Sequence, residues 1–201
     1  MTSPPLARRA RHTAFVLAAV LVAVGVGCAK TDTATTGSAS GTNAPGAIVF
    51  PLPADPSAAI KASGLPELGS ESFVVHEHAH LDLVINGQAV TVPAGIGING
   101  RSGISPLHTH DTTGTIHIEA EKPDTFTLGQ FFTEWGVKLD ANCVATFCTD
   151  DKNQLLAFVN GQPAPDPAAI HISQHAEIYV WYGPRSTPPT PPASYTFPSG
   201  V

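Results

Sequence analysis

The chain has 201 residues, of which 42% are hydrophobic and only 13% charged, with 18 Gly, 19 Pro and a formal net charge of −6. So few charges, with Gly and Pro so frequent, exclude a coiled coil or helical bundle and favour short strands joined by turns. An acidic chain without a basic stripe repels phosphate backbones, so no nucleic-acid partner is expected, whereas cations are attracted.

A basic cluster, Arg8, Arg9 and Arg11, precedes the uncharged run Ala14–Gly27. An apolar stretch of that length after a basic start has the form of a secretory signal and is short for a membrane span. The sequence Gly25-Val26-Gly27-Cys28 resembles the lipobox of bacterial lipoproteins. That resemblance implies cleavage before Cys28, lipidation of its thiol and a membrane-anchored protein outside the cytoplasm; plain secretion is the alternative. Residues 1–27 are thus expected to be a signal peptide. Residues 28–69 are expected to be the lipid-anchor cysteine and a Thr/Ser/Gly/Pro-rich tether, too poor in apolar side chains to offset the entropy of folding. Within it, Ile48–Leu52 has the pattern of an edge strand. A His-rich β domain is expected over 70–183, followed by a Pro-rich tail, 184–201, with Tyr195 and Phe197 available to fasten it. Once Cys28 carries lipid, Cys143 and Cys148 remain as a pair outside the cytoplasm, where a disulfide is the expected state. Metal ligation by this C-x4-C pair is the competing reading.

Phe73–Ile85 alternates along its length and runs into Asn86-Gly87, a strong hairpin signal, with Gln88–Val92 returning. By period two, Leu81 and Leu83 face a core, while His76, His78, His80 and Asp82 line the opposite face. Glu77 falls on the Leu81 side. Leu107–Glu119 reads as a second hairpin whose turn is Asp111–Gly114, which pairs His108 with His117 and His110 with Thr115. His108, His110 and His117 then form a triangle on one face that Glu119 shares, and Ile116 and Ile118 point to the core. Asp111 is read as shaping the turn through its side chain. Thr127-Leu128-Gly129-Gln130 fits a capping box, so one short helix is expected over Leu128–Trp135. Leu155–Val159 leads into a second turn at Asn160-Gly161, and Ala176–Tyr182 reads as a late strand. The expected architecture is mainly β (α+β), either a β-sandwich or a grasp-like sheet of hairpins with one short helix.

Six of the nine histidines lie between His76 and His117, where an even spread would put about two. Neutral imidazole is the commonest ligand for borderline divalent ions, and two i, i+2 histidines with one from the neighbouring strand make a three-nitrogen site. His108, His110, His117 and Glu119 are the first candidate set. His76, His78 and His80 either converge on the same site or form a second one. The competing readings are a hydrogen-bonded polar strand face and a metal-free pH sensor. His171 and His175 are read as surface residues. Met1 is the sole methionine, so the processed chain has no thioether for a Cu(I) transfer site. Zn(II) or Cu(II) is the expected ion, and Ca(II) or Mg(II) fits poorly.

The segments His76-x-His78-x-His80-Leu81 leading to Ile85-Asn86-Gly87, Leu107–Asp111 with Ile116–Glu119, and Thr127–Phe132 with Trp135-Gly136 together resemble a family of secreted or lipid-anchored prokaryotic proteins. The resemblance implies that residues 73–183 form one unit and supplies no activity. Three functions follow from the residues. The first is an extracytoplasmic metal-binding lipoprotein for buffering, delivery or sensing. The second is a cupin- or hydrolase-type metalloenzyme with a three-His site, in which Glu119 or Glu77 acts as base. The third is a metal-free cell-surface interaction module.

Overall fold

The rest of the sheet is arranged on β1 (Val75–Ile85), an eleven-residue strand. The computed structural model describes residues 48–71, 74–199 and 201. The expected signal peptide at 1–27, Cys28, the part of the expected tether up to residue 47, and Phe73 lie outside the described residues.

Strand β1 turns through Asn86-Gly87 into β2 (Gln88–Val90), with Ile85 opposite Gln88 and Leu83 opposite Val90. Both turn residues have positive φ, 51° and 78°, as a two-residue type I′ turn requires and as Asn-Gly tolerates. The second hairpin comprises β3 (Leu107–His108) and β4 (Thr115–Ala120), with His108 opposite His117. Asn160-Gly161 then joins β5 (Asn153–Val159) to β6 (Gln162–Pro163) with the same pair of positive φ angles. The last strand, β7 (Glu177–Pro184), lies parallel to β1 and antiparallel to β5. The sheet order is β6-β5-β7-β1-β4-β3, with β2 also paired to β1. The protein is mainly β, and among the described residues no second sheet of comparable size faces this one, which removes the sandwich alternative.

Alternation divides the sheet into two faces. Ala79, Leu81, Leu83 and Ile85 of β1 and Ile116, Ile118 and Ala120 of β4 join one buried core with Leu128, Phe131, Phe132 and Trp135 of helix α2 (Leu128–Trp135). Helix α2 begins as the sequence predicts: the Thr127 side chain accepts from the Gln130 N–H, the Gln130 side chain accepts from the Thr127 N–H, and Gly136 ends the helix at φ 74°. Three aromatic side chains fully removed from water on one face contribute on the order of 2–3 kcal/mol each, so the helix is held by packing more than by its own propensity.

The expectation of a single helix is corrected. Residues 56–63, read from sequence as tether, form helix α1 (Pro56–Ser63) with Asp55 as N-cap, Gly64 as C-cap and Ile60 buried. Ile48–Leu52 is not a strand; Phe50 instead lies edge-on to Trp135 at 6.0 Å, and its carbonyl accepts the indole N–H at 3.2 Å. A one-turn 3-10 helix at Pro167–Ala169 packs beside α2. Cys143 and Cys148 face one another across a small ribbon and form a disulfide. The Pro-rich tail returns to the domain, where Tyr195 stacks on His80 of β1 and Phe197 lies tilted against His175 in the turn before β7. No described helix is long and apolar enough to cross a membrane.

Gly114 closes the β3–β4 turn against β1. Its φ is 88°, its carbonyl accepts the Leu81 N–H at 2.9 Å, and a Cβ there would stand 2.6 Å from the Leu81 carbonyl oxygen. Gly114→Ala is expected to destabilise the domain by on the order of 2 kcal/mol or more, because both the left-handed backbone and the contact with main chain are violated. Urea unfolding measures this, and a loss under about 0.5 kcal/mol would show that the turn adapts.

Candidate metal centre

Strand β4 lies between β1 and β3, and that position builds the site. His117 stands opposite His78 on one side and His108 on the other. Each flanking strand adds a second imidazole two residues along, His76 on β1 and His110 beyond β3. Directly opposed residues bring Cβ atoms to about 5 Å, so the rings must meet. Ring centres are 4.6 Å apart for His78–His117, 4.6 Å for His110–His117, 5.2 Å for His108–His117, 4.9 Å for His76–His78 and 4.8 Å for His108–His110. Imidazoles on one tetrahedral ion, with nitrogens at about 2.0–2.1 Å and ring centres about 1 Å farther out, would stand about 5 Å apart. The donor atoms of His76, His78 and His117 fall within 4.8 Å of one another, and so do those of His108, His110 and His117.

Glu119 lies beneath these rings, 3% exposed. Its Oε1 is 3.4 Å from His76 Nε2, 3.8 Å from His108 Nε2 and 3.9 Å from His117 Nδ1. The expected cluster of His108, His110 and His117 with Glu119 on one face is therefore brought together, and His76 and His78 join it. At the rim, His110 Nε2 is 3.4 Å from Glu71.

The sixth histidine goes elsewhere. His80 Nδ1 is 2.7 Å from Glu177 Oε2 of β7, and its Nε2–H donates to the Thr113 carbonyl at 2.9 Å. It forms a separate group with Asp82 and Glu177 and lies under the Tyr195 ring at 3.6 Å. Burial opposes charge on His80, but the Glu177 hydrogen bond and charge, with Asp82 and the Thr113 carbonyl, outweigh it and hold the imidazole above its usual value. A single row of three equivalent histidines on β1 is thus corrected at its third member. Glu77 pairs with Ile118 and shares the core-side phase of the strand, away from His76 and His78, so Glu119 is the carboxylate placed among the rings. Asp111 shapes its turn, accepting the Thr113 N–H at 2.9 Å and hydroxyl at 2.6 Å through Oδ1. His171 and His175 are exposed.

Electrostatics keep the inner rings neutral. Burial, then repulsion from His110, His117 and His76, lowers His108 to about 3, against the Ser105 carbonyl, which raises it. Burial and repulsion from His78, His110 and His76 lower His117 to about 4. His78 is lowered by burial, His76 and His175. Neutral imidazole is the ligating form. His108 is completely buried, its Nδ1–H donates to the Ser105 carbonyl at 2.9 Å, and its Nε2 has no hydrogen-bond partner; His117 Nδ1 has none either. One nitrogen tied to a main-chain carbonyl with the other left bare is the usual setting of a metal-ligating histidine.

Sequence reasoning missed what stands behind His108. The Ser105 hydroxyl donates to Glu134 Oε1 at 2.5 Å, and the Ser63 hydroxyl lies 3.0 Å from the same oxygen. Glu134 is 1% exposed on α2. Burial pushes its carboxyl up to about 8, against the two serine hydrogen bonds. Its position three residues after Phe131 and one before Trp135, on the apolar stripe, was the available signal. Beside His110 opens a cleft of about 560 Å³ lined by Glu71, Ile98, Arg101 and Ile104 among others.

Glu134 carries a signed pH prediction. Between its ordinary value of 4.5 and about 8, the folded carboxyl keeps a proton that the unfolded chain has lost. Its contribution to stability therefore falls as pH rises through that window and is level above it. Glu134→Gln is expected to remove this slope and to gain on the order of 3 kcal/mol over the parent at about pH 8 relative to pH 4.5. Urea melts of both proteins across the window measure the difference, and parallel stability curves would refute it.

No family model matches the chain, and neither the curated proteins nor the solved structures contain a significant match. The motif resemblance therefore carries no activity to this site, and its chemistry stands on the geometry alone.

Proposed function

We propose that the protein is an extracytoplasmic metal-binding lipoprotein that holds Zn(II) or Cu(II) through His76, His78, His108, His110, His117 and Glu119, for buffering, delivery or sensing. The observation that carries the reading is the pair of buried imidazole nitrogens without a hydrogen bond, Nε2 of His108 and Nδ1 of His117, in one cluster beside Glu119. Each such group costs about 1–3 kcal/mol to leave unsatisfied, and a divalent ion is the ligand that repays both while tolerating the neutral rings around them. The nitrogen-rich donor set selects a borderline ion over Ca(II) or Mg(II). The secretory run Ala14–Gly27 and the lipobox-like Gly25–Cys28 support export and a lipid anchor in the membrane, and the Cys143–Cys148 disulfide is consistent with an oxidising compartment.

Elemental analysis and titration of the purified chain with Zn(II) and Cu(II) test the binding. His108→Ala, His110→Ala and His117→Ala are each expected to weaken it at least tenfold, and binding equal to the parent in all three would end the proposal. Metal-free parent protein would favour the surface interaction module instead. For the anchor, mass spectrometry of the protein isolated from the producing cell is expected to find the chain beginning at an acylated Cys28; a mature chain with an unmodified Cys28 would overturn the lipidation.

A metalloenzyme is the second reading, favoured by the cleft beside His110. Three histidine ligands leave a fourth position open to water, and the buried Glu119 is the carboxylate placed to take its proton. Hydrolase and oxidase assays on the metal-loaded protein separate it from a binding role.

A further inference from the structure

We infer that the cluster is built for two divalent ions rather than one, with the His117 imidazole shared between them. This rests on the metal-binding reading and goes beyond it in stoichiometry and in the chemistry of the bridge.

His117 neighbours all four of the other rings, at 4.6 Å from His78, 4.6 Å from His110, 5.2 Å from His108 and 6.5 Å from His76. The pairs on its two sides lie on different chain segments, His76 and His78 on β1 and His108 and His110 at and just beyond β3, and belong to different donor groups. His76, His78 and His117 form one triangle, His108, His110 and His117 the other, and His117 is their common member. Its orientation follows this division: it stands nearly perpendicular to His78 and to His110, at 82° and 78°, and within 30° of the planes of His108 and His76. An imidazole has two nitrogens on opposite sides of the ring, so one ring between two triangles can serve one ion from each.

Donor count points the same way. Five imidazoles and a carboxylate exceed the four ligands of a tetrahedral ion. A lone ion held by His108, His110 and His117 would leave His78, itself 5% exposed, beside a dication that it does not ligate. Two ions use every ring: two terminal histidines each, with His117 between. Glu119 Oε1, 3.4 Å from His76 Nε2 and 3.8 Å from His108 Nε2, lies between the triangles, where a carboxyl oxygen is within reach of either ion.

Bridging balances as a ligand exchange. Neutral His117 binds the first ion through its unprotonated nitrogen. When the second ion arrives, the remaining N–H bond breaks, the proton leaves to solvent, and the freed electron pair forms the second metal–nitrogen bond. No electron changes hands.

The test is a Cu(II) titration of the full chain, with excess glycine present to strip weakly held surface ions, followed by elemental analysis and electron paramagnetic resonance. Two Cu(II) per chain are expected. The signal should have full intensity at one equivalent and fall well below that of two isolated ions at two, because an imidazolate bridge couples the spins. His76→Ala, at the exposed rim of the cluster, combined with His78→Ala should leave one uncoupled ion, with circular dichroism as the check on folding. Saturation of the parent at one equivalent would overturn the inference, as would two equivalents with full uncoupled intensity. Either outcome leaves the metal-binding reading standing, whereas no bound copper and no bound zinc would remove both.

Discussion

The site depends on the phase of β4 between its two neighbours, and that phase is set on the opposite face of the sheet. Ile116, Ile118 and Ala120 of β4 pack with Ala79, Leu81 and Leu83 of β1 and with the aromatic residues of α2. A slip of one residue would expose the two isoleucines, at about 1.5–3 kcal/mol each, and turn His117 and Glu119 into the core. The apolar core therefore holds five imidazoles together that would otherwise gain nothing from proximity. Their grouping is a consequence of hydrophobic register, and an ion bound there would meet a geometry the core has already fixed.

Local signals made much of this readable. The Asn-Gly turns, the capping box and the alternation of Leu107–Glu119 each act over a few residues. The turns, the helix start and the His108–His117 pair stand where the sequence places them, whereas the ladder ends at His108, so the expected His110–Thr115 pair does not form and Thr115 pairs with His80 instead. The His108–His117 pairing followed because a hairpin's register is fixed by its own turn. The lateral order of strands was not readable in this way. That β1 lies beside β4 rests on contacts between segments some forty residues apart, and the parallel pairing of β1 with β7 spans nearly a hundred, with no local chemistry to announce it. His80 shows the consequence. On sequence it is the equal of His76 and His78, but β7 brings Glu177 directly opposite it, and the third imidazole is taken by a carboxylate instead of the cluster.

Composition misled at the N-terminal side of the domain. Residues 48–69 are rich in Pro and Ala, and average hydrophobicity reads them as tether. Their order comes from a few specific contacts: Asp55 capping Pro56–Ser63, Ile60 buried, and Phe50 against Trp135. Helix α1 also brings Ser63 to Glu134, so a segment read as dispensable helps fix the carboxyl behind the Ser105–His108 contact. Glu134 was legible in principle, since a glutamate on the apolar stripe of an amphipathic helix must either find partners or stay protonated. What it supports could not be read without knowing which loop packs on the helix.

Exposure across the cluster has a direction. His76 and His110 are each 42% exposed in their side chains, His117 18%, and His108 and Glu119 almost fully enclosed. One exposed ring is on β1 and the other just beyond β3, on opposite sides of His117, so each side of the cluster presents a solvated imidazole at its rim. The inner nitrogens, Nε2 of His108 and Nδ1 of His117, are the costly ones to leave without a hydrogen bond. At the rim, Glu71 beside His110 adds negative charge at the point of access, in keeping with a chain whose net charge is negative. A purely structural set of histidines would be arranged the other way, with buried rings hydrogen-bonded at both nitrogens as His80 is. The contrast between His80, hydrogen-bonded at both nitrogens, and His108, hydrogen-bonded at one, lies within a single sheet, and it follows from which strand each imidazole has as its neighbour.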